Sequence, residues 1–299
     1  MKIVFMGTPD FALPSLDKLY KSNHEVIAVV TAPDKERGRG QKVSFTPVKE
    51  FALHNNLPLL QPEKLKDDSF ADELKRLNAD LFVVVAFRIL PKEVFTIPVN
   101  GSFNLHASLL PRYRGAAPIQ WSIINGDKET GVTTFSLEEK VDTGNIYLQE
   151  KITIEDSDDL GSLHDKLSLL GADVVLNTVN LIDSGSFVLQ TQNNEISSPA
   201  PKITKDTGKI NWNNSAESIH NLIRGLSPHP GAYFNYNNTQ IKLYKTEISN
   251  VKLNPGQILQ EKKELYIGCG DKSLKILELQ KEGKKRLTSE EFLRGFNFN

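Results

Sequence analysis

Residues 80–87, Asp-Leu-Phe-Val-Val-Val-Ala-Phe, constrain the fold more than any other stretch of the chain. From residue 81 onward every side chain is apolar, and the centre of the run is β-branched. A strand that is apolar on both faces belongs inside a parallel sheet covered by helices. The run is far too short to cross a bilayer.

The segments around it alternate in the same sense. Residues 2–6 form an apolar strand that ends in the turn Gly7-Thr8-Pro9-Asp10. A helix pattern follows, with Leu13, Leu16 and Leu19 on one side, and residues 24–30 make a second strand. Thr46-Pro47 opens the next helix with Thr at the N-cap and Pro at the first helical position. Residues 69–78 form another, with Phe70, Leu74 and Leu77 on one face. Strand and helix in alternation predict an α/β doubly wound domain. In such sheets ligands bind beyond the C-terminal ends of the strands. The turn after the first strand lacks the G-x-G-x-x-G pattern, so no dinucleotide cofactor is expected.

At 299 residues the chain suits one large domain or two ordinary ones. Residues 191–208 are rich in Asn, Ser, Pro, Thr and Lys and read as a linker, dividing a domain over 1–190 from one over 209–299. Past the linker, residues 215–226 carry a helical stripe, Ile219, Leu222, Ile223 and Leu226, with Asn214 as expected N-cap and Glu217 three residues on. Short strands are expected at 233–236, 240–248, 256–260, 264–269 and 273–279, the pattern of a small barrel.

The formal net charge of −1 argues at first against a nucleic-acid partner. Residues 203–299, however, hold 15 Lys and Arg against 10 Asp and Glu, a net +5, leaving −6 for the remainder. A small basic barrel is a common nucleic-acid-binding architecture. Such splits also occur in proteins that bind none, so charge alone leaves both readings open. Within residues 281–286 four of six side chains are basic, fitting either a solvated turn or an RNA phosphate contact.

One cysteine, Cys269, excludes an internal disulfide and a cysteine-cluster metal site. The six histidines show no short ligand spacing, so no metal is expected. The first residues turn polar too quickly for a signal peptide. A cytoplasmic protein without a membrane segment is the expectation.

Three polar residues could carry chemistry. Asn104 and His106 lie two apart in an extended stretch, Ser102-Phe-Asn-Leu-His-Ala107, so they share a face. Asp142 lies in the turn Lys140-Val-Asp-Thr-Gly144 between two strand-like segments. Amide and imidazole N–H groups can stabilise a carbonyl oxyanion. A carboxylate can accept the proton of an attacking amine and orient the imidazole. The trio therefore suits acyl transfer to an amine. Isolated Asn, His or Asp near strand ends also serve turns, and spacing alone leaves that reading open. The same holds for Arg112-Tyr-Arg114-Gly115. On composition alone residues 34–42 read as a surface connection.

Taken in order, these residues resemble a known family. Phe5-Met-Gly-Thr-Pro-Asp-Phe-Ala12, Asn104-Leu-His106, Ser108-Leu-Leu-Pro-Arg-Tyr-Arg-Gly-Ala-Ala-Pro-Ile-Gln120, Glu129-Thr-Gly-Val132 and Val141-Asp-Thr-Gly144 resemble the methionyl-tRNA formyltransferases. Asn211-Trp212 and Pro228-His-Pro-Gly231 extend the match into the second half. The resemblance implies a Rossmann-like formyltransferase domain followed by a small C-terminal OB-like β-barrel. It implies formyl transfer from 10-formyltetrahydrofolate to the α-amino group of methionine on initiator tRNA, with the acceptor arm as the contacted part.

By the resemblance, Asn104, His106 and Asp142 are catalytic. Phe87, Arg88, Ile89 and Leu90, with Ser108, Leu109, Leu110 and Pro111, bind the folate. Many members carry Tyr-Gly where this chain has Phe87-Arg88. The tRNA-gripping loop falls on residues 34–45, so Arg37, Arg39 and Lys42 are expected at the RNA, Arg39 wedging at the acceptor end. Lys205 and Lys209 are expected phosphate contacts, and the chain is expected to be monomeric. Formyltransferases acting on glycinamide ribonucleotide or amino sugars share the trio, as do formyltetrahydrofolate hydrolases. A non-catalytic RNA-binding protein would leave the trio unexplained.

Overall fold

The computed structural model describes residues 1–37 and 42–298, without the side chains of 35–37 and 42–44. The chain forms two compact units. The first comprises Met1–Gly115, Gly131–Ile152 and His164–Pro199; the second comprises Ala116–Thr130, Thr153–Leu163 and Ala200–Asn299.

The first unit is built on a seven-stranded sheet in the order Ile146–Thr153, Glu129–Ser136, Ser102–His106, Leu81–Val85, Lys2–Gly7, Glu25–Val30, Leu59–Leu60. The last five run parallel, and Glu129–Ser136 is antiparallel to Ser102–His106. Leu81–Val85 lies at the centre with every residue buried, as its two apolar faces require. On one side Val4, Met6, Phe82 and Val84 pack with Phe70 and Leu74 of the helix Asp68–Arg76. The helix Pro47–His54 starts where expected: Thr46 Oγ1 accepts from the Lys49 N–H at 3.1 Å.

A 25-residue helix, Leu160–Ser184, adds an element that periodicity does not mark. Leu163, Leu167, Ala172, Val174, Val175, Val179 and Ile182 are all buried on one broad face, while apolar Leu169 lies off it and is exposed. The helix lies so close to the strand Ser102–His106 that a Cβ on Gly171 would stand 2.6 Å from Leu105 Cδ2.

In the second unit antiparallel strands follow the order Ala232–Tyr236, Thr239–Ser249, Ser273–Lys281, Glu264–Gly268, Ile258–Glu261, with Leu287–Thr288 also paired to Ser273–Lys281. These antiparallel strands make up the small C-terminal β domain that the sequence predicts. Its core takes Ile219, Ile223 and Leu226 from the helix end and Ile241, Leu243, Leu265, Ile267, Leu274 and Ile276 from the strands. The N-cap of the helix Ala216–Gly225 is Ser215 rather than Asn214: Ser215 Oγ accepts from the Ser218 N–H. The Asn214 carbonyl instead accepts from Gly270, and Asp271 Oδ1 takes the Ala216 N–H at 2.8 Å, so the turn from across the unit moves the cap by one residue.

Cys269 is 2% exposed. Burial first, and then the nearby Asp271 charge, push its thiol up to about 12. Only the thiolate reacts readily with disulfide reagents. The native protein is therefore expected to resist an aromatic disulfide reagent at pH 8 and to react once denatured; rapid stoichiometric labelling of the native chain would contradict this environment. Among the described residues no helix is long and apolar enough to cross a membrane, and no group of three or more His, Cys, Asp or Glu could hold a metal ion.

Candidate active site

The strand Ser102–His106 is paired on both sides, Val84 standing opposite Asn104 on one and Phe135 on the other. Asn104 and His106 share one of its faces. Asn104 borders a cavity of about 90 Å³ within the first unit, walled by Phe87, Leu90, Phe95 and Leu137 and edged by Asp142. The Asn104 side-chain amide makes no hydrogen bond among the described residues. Asn104 is half-buried, so its amide stays open to solvent or a ligand.

His106 is 6% exposed, and its Nε2 lies 2.8 Å from the carbonyl oxygen of Tyr113. A carbonyl can only accept, so Nε2 carries a proton in that contact. The ring is thus oriented by a backbone carbonyl, where the sequence suggested Asp142. Asp142 Oδ2 stands 3.9 Å from Nδ1, within ion-pair range but beyond a hydrogen bond. Nδ1 makes no hydrogen bond among the described residues.

Asp142 itself sits at φ +55°, a left-handed conformation uncommon for a residue with a Cβ. Its Oδ2 accepts from the Gly115 N–H at 2.8 Å. Its carbonyl accepts from Gln192 Nε2 at 3.0 Å, and the Gly144 carbonyl accepts from the same nitrogen at 2.7 Å. Gln192 Oε1 in turn accepts from Arg114 Nε and Nη2, at 3.0 and 2.6 Å. Burial pushes the Arg114 guanidinium below its ordinary range, and the Asp142 charge opposes that.

The structure brings Phe87, Arg88, Ile89 and Leu90 to the same cavity as Asn104 and Asp142. The Arg88 guanidinium donates to the carbonyls of Pro62 and Glu63 at 2.6 and 2.9 Å, while its buried Nε has no partner among the described residues. Desolvation lowers its pKa. Arg88 therefore ties the cavity wall to the 62–63 segment.

Ser108, Leu109, Leu110 and Pro111 are not in that wall. They form the turn after the strand Ser102–His106, and their polar atoms are used locally. Ser108 Oγ donates to the Arg112 carbonyl at 2.7 Å. The Leu110 N–H donates to Thr133 Oγ1 at 3.1 Å, and Gln149 Nε2 donates to the Leu110 carbonyl at 2.8 Å. The Leu110 side chain packs on Phe135 and Ile146. Arg37 and Lys42 face each other across a short hairpin, Lys35–Arg37 with Lys42–Ser44; Arg39 lies outside the described residues. Lys205 and Lys209 are exposed, in the second unit.

Thr133, Gln149, Gln192 and the Tyr113 carbonyl are the parts that sequence reasoning missed. Tyr113 acts through its backbone, which no side-chain pattern can mark. Gln192 lies in a polar stretch where a single Gln gives no signal.

Two family models match the chain: formyl transferase over residues 1–179 and formyl transferase, C-terminal domain, over residues 202–297. A methionyl-tRNA formyltransferase of Caldanaerobacter subterraneus subsp. tengcongensis is 49% identical over 99% of this chain and 97% of its own. The chain belongs to the methionyl-tRNA formyltransferase family. Among solved structures, the sugar 3N-formyl transferase WlaRD, determined with dTDP and 5-N-formyl-THF, is 25% identical with a TM-score of 0.71, covering 95% of this chain and 99% of its own. HypX from Aquifex aeolicus, in complex with tetrahydrofolic acid, superposes with a TM-score of 0.69 at 17% identity over 98% of this chain, which spans about half of HypX (47%). At that identity the HypX likeness speaks for the fold alone. In this formyltransferase the amide and the imidazole stand on the strand Ser102–His106, and the carboxylate on the turn between Glu129–Ser136 and Ile146–Thr153 of the same sheet.

Proposed function

We propose that the chain transfers the formyl group of 10-formyltetrahydrofolate to the α-amino group of methionine carried by initiator tRNA. One observation carries the reading: an unpaired amide and a clasped carboxylate border one cavity, with an oriented imidazole 3.9 Å from that carboxylate, in a chain so similar to a methionyl-tRNA formyltransferase. The apolar walls suit a flat heterocycle, and Phe87, Arg88, Ile89 and Leu90 would hold it. Ser108, Leu109, Leu110 and Pro111 contribute by fixing the turn beneath.

The amine must be neutral to attack, and a free α-amino group titrates near about 8. As the new N–C bond forms, charge develops on the formyl oxygen. Asn104 and a protonated His106 Nδ1 are placed to stabilise it. Asp142 takes the amine proton, directly or through water. Collapse breaks the bond from the formyl carbon to the folate N10, which leaves with a proton.

In this reading residues 1–190 carry the chemistry, 191–208 connect, and the basic 209–299 portion meets the RNA. Arg37, Arg39 and Lys42 grip the acceptor arm, and Lys205 and Lys209 contact phosphates. The enzyme works as a monomer in the cytoplasm, without metal.

The test supplies 10-formyltetrahydrofolate with initiator methionyl-tRNA, elongator methionyl-tRNA, glycinamide ribonucleotide, an amino-sugar nucleotide, or no acceptor. Formylation of the initiator methionyl-tRNA at least about tenfold faster than any other acceptor is expected, a discrimination of 1.4 kcal/mol. Folate hydrolysis alone, or preference for the sugar nucleotide, would overturn the reading.

A further inference from the structure

The carboxylate at the reaction centre rides on a turn, and something must hold that turn still. Asp142 lies between the strands Glu129–Ser136 and Ile146–Thr153, at φ +55°. Past the second strand, Gln190 pairs with Ile146 through both backbone bonds, at 2.8 and 3.0 Å. That pairing delivers Gln192, 5% exposed, beside the turn.

We propose that Gln192 is a positioning residue for the formyl transfer: its side-chain amide clasps the Asp142–Gly144 turn to Arg114 and so fixes the Asp142 carboxylate opposite His106. The inference rests on the catalytic role given to Asp142 above.

The chemistry of the clasp selects the residue. A guanidinium only donates and a carbonyl only accepts. Gln192 meets Arg114 with its oxygen and the carbonyls of Asp142 and Gly144 with its nitrogen. Glu offers acceptors alone, and Lys offers donors alone. Asn would be one methylene short. The clasp also closes a ring. Arg114 precedes Gly115, whose N–H holds the Asp142 carboxylate. Gln192 therefore ties together the backbone that carries the carboxylate and the segment that grips it.

Gln192→Met keeps the length and removes every bond of the clasp; Gln192→Glu keeps the acceptor for Arg114 and loses the donors to both carbonyls. A displacement of about 1 Å at a reacting group costs on the order of 100-fold in rate. For Gln192→Met a fall in kcat of about 30-fold is expected, and for Gln192→Glu about tenfold, with KM for both substrates within about twofold of wild type. The decisive readout is a double-mutant cycle. In an Asp142→Asn background, adding either Gln192 change should alter kcat by less than about twofold, because nothing remains to be positioned. A purely structural role would multiply the two losses. Multiplied losses, a raised KM with kcat unchanged, or a Gln192→Met enzyme keeping more than about half of kcat would overturn the proposal. If Gln192→Met does not fold, the cycle is run on Gln192→Glu. A wild-type chain that formylates no methionyl-tRNA would instead defeat the functional reading, which separates the two failures.

Discussion

Replacing Asp142 by Asn is expected to lower kcat about a thousandfold while leaving KM for both substrates and the melting temperature near wild type. The substitution is nearly isosteric. Its carbonyl oxygen can still accept the Gly115 N–H that Asp142 Oδ2 accepts now at 2.8 Å. Asn tolerates the left-handed conformation found at φ +55° better than most residues. The bonds from Gln192 go to backbone carbonyls and survive. What disappears is the charge 3.9 Å from His106 Nδ1 and the capacity to take the amine proton. Proton transfer by a placed side chain contributes about 10²–10⁴ in rate, and the loss of the imidazolium's partner falls in the same step. Single-turnover formylation with saturating initiator methionyl-tRNA and folate gives the rate; thermal unfolding gives the stability. A variant within about fivefold of wild type would remove Asp142 from the reaction.

The sheet was legible because its strongest signals are local. Leu81–Val85 is apolar on both faces and is buried on both. Thr46-Pro47 spells a helix start, and Thr46 caps it. The i, i+2 spacing put Asn104 and His106 on one face of a real strand. The less legible parts depend on distant partners. Helix Leu160–Ser184 buries one broad face, but apolar side chains such as the exposed Leu169 also lie off it, so its periodicity is diluted. The cap of the helix Ala216–Gly225 shifts to Ser215 because Asp271, far along the chain, takes the Ala216 N–H. At the site, Phe87, Arg88, Ile89, Leu90, Asn104 and Asp142 of the cavity lining could be named from the sequence, whereas Phe95 and Leu137 could not. Nor could those that hold the site. Tyr113 orients His106 with a carbonyl that every residue possesses, and Gln192 reaches the Asp142 turn across 50 residues of chain. Ser108–Pro111, which the resemblance marks as folate-binding, makes local hydrogen bonds with Arg112, Thr133, Gln149 and Ser198.

Gly144→Ala is expected to damage both stability and rate, through close approach rather than through backbone conformation. A Cβ on residue 144 would lie 1.8 Å from the Ser136 carbonyl oxygen and 2.9 Å from its carbon. Those are backbone atoms in a paired segment: the Ser136 N–H donates to the Asn145 carbonyl at 2.9 Å, closing the base of the Asp142 turn. No rotamer change relieves the contact, so the turn or the strand Glu129–Ser136 must move by an ångström or more. Overpacking of this kind costs about 3 kcal/mol, at the upper end of the usual range. On a cooperative unit the size of the first one, that lowers the melting temperature by roughly 6–12 °C. The same movement withdraws the Gly144 carbonyl from Gln192, now at 2.7 Å, and carries Asp142 with it. A loss in kcat of about 100-fold is then expected, the scale set by a 1 Å misplacement. Gly185→Ala supplies the control: Gly185 has φ +67° with nothing within 4 Å of a built Cβ. It should cost about 1–2 kcal/mol of backbone strain and leave kcat unchanged. If Gly144→Ala melted and turned over no worse than Gly185→Ala, the steric coupling between Ser136 and the Asp142 turn would be absent, and with it the reason a glycine follows Asp142-Thr143.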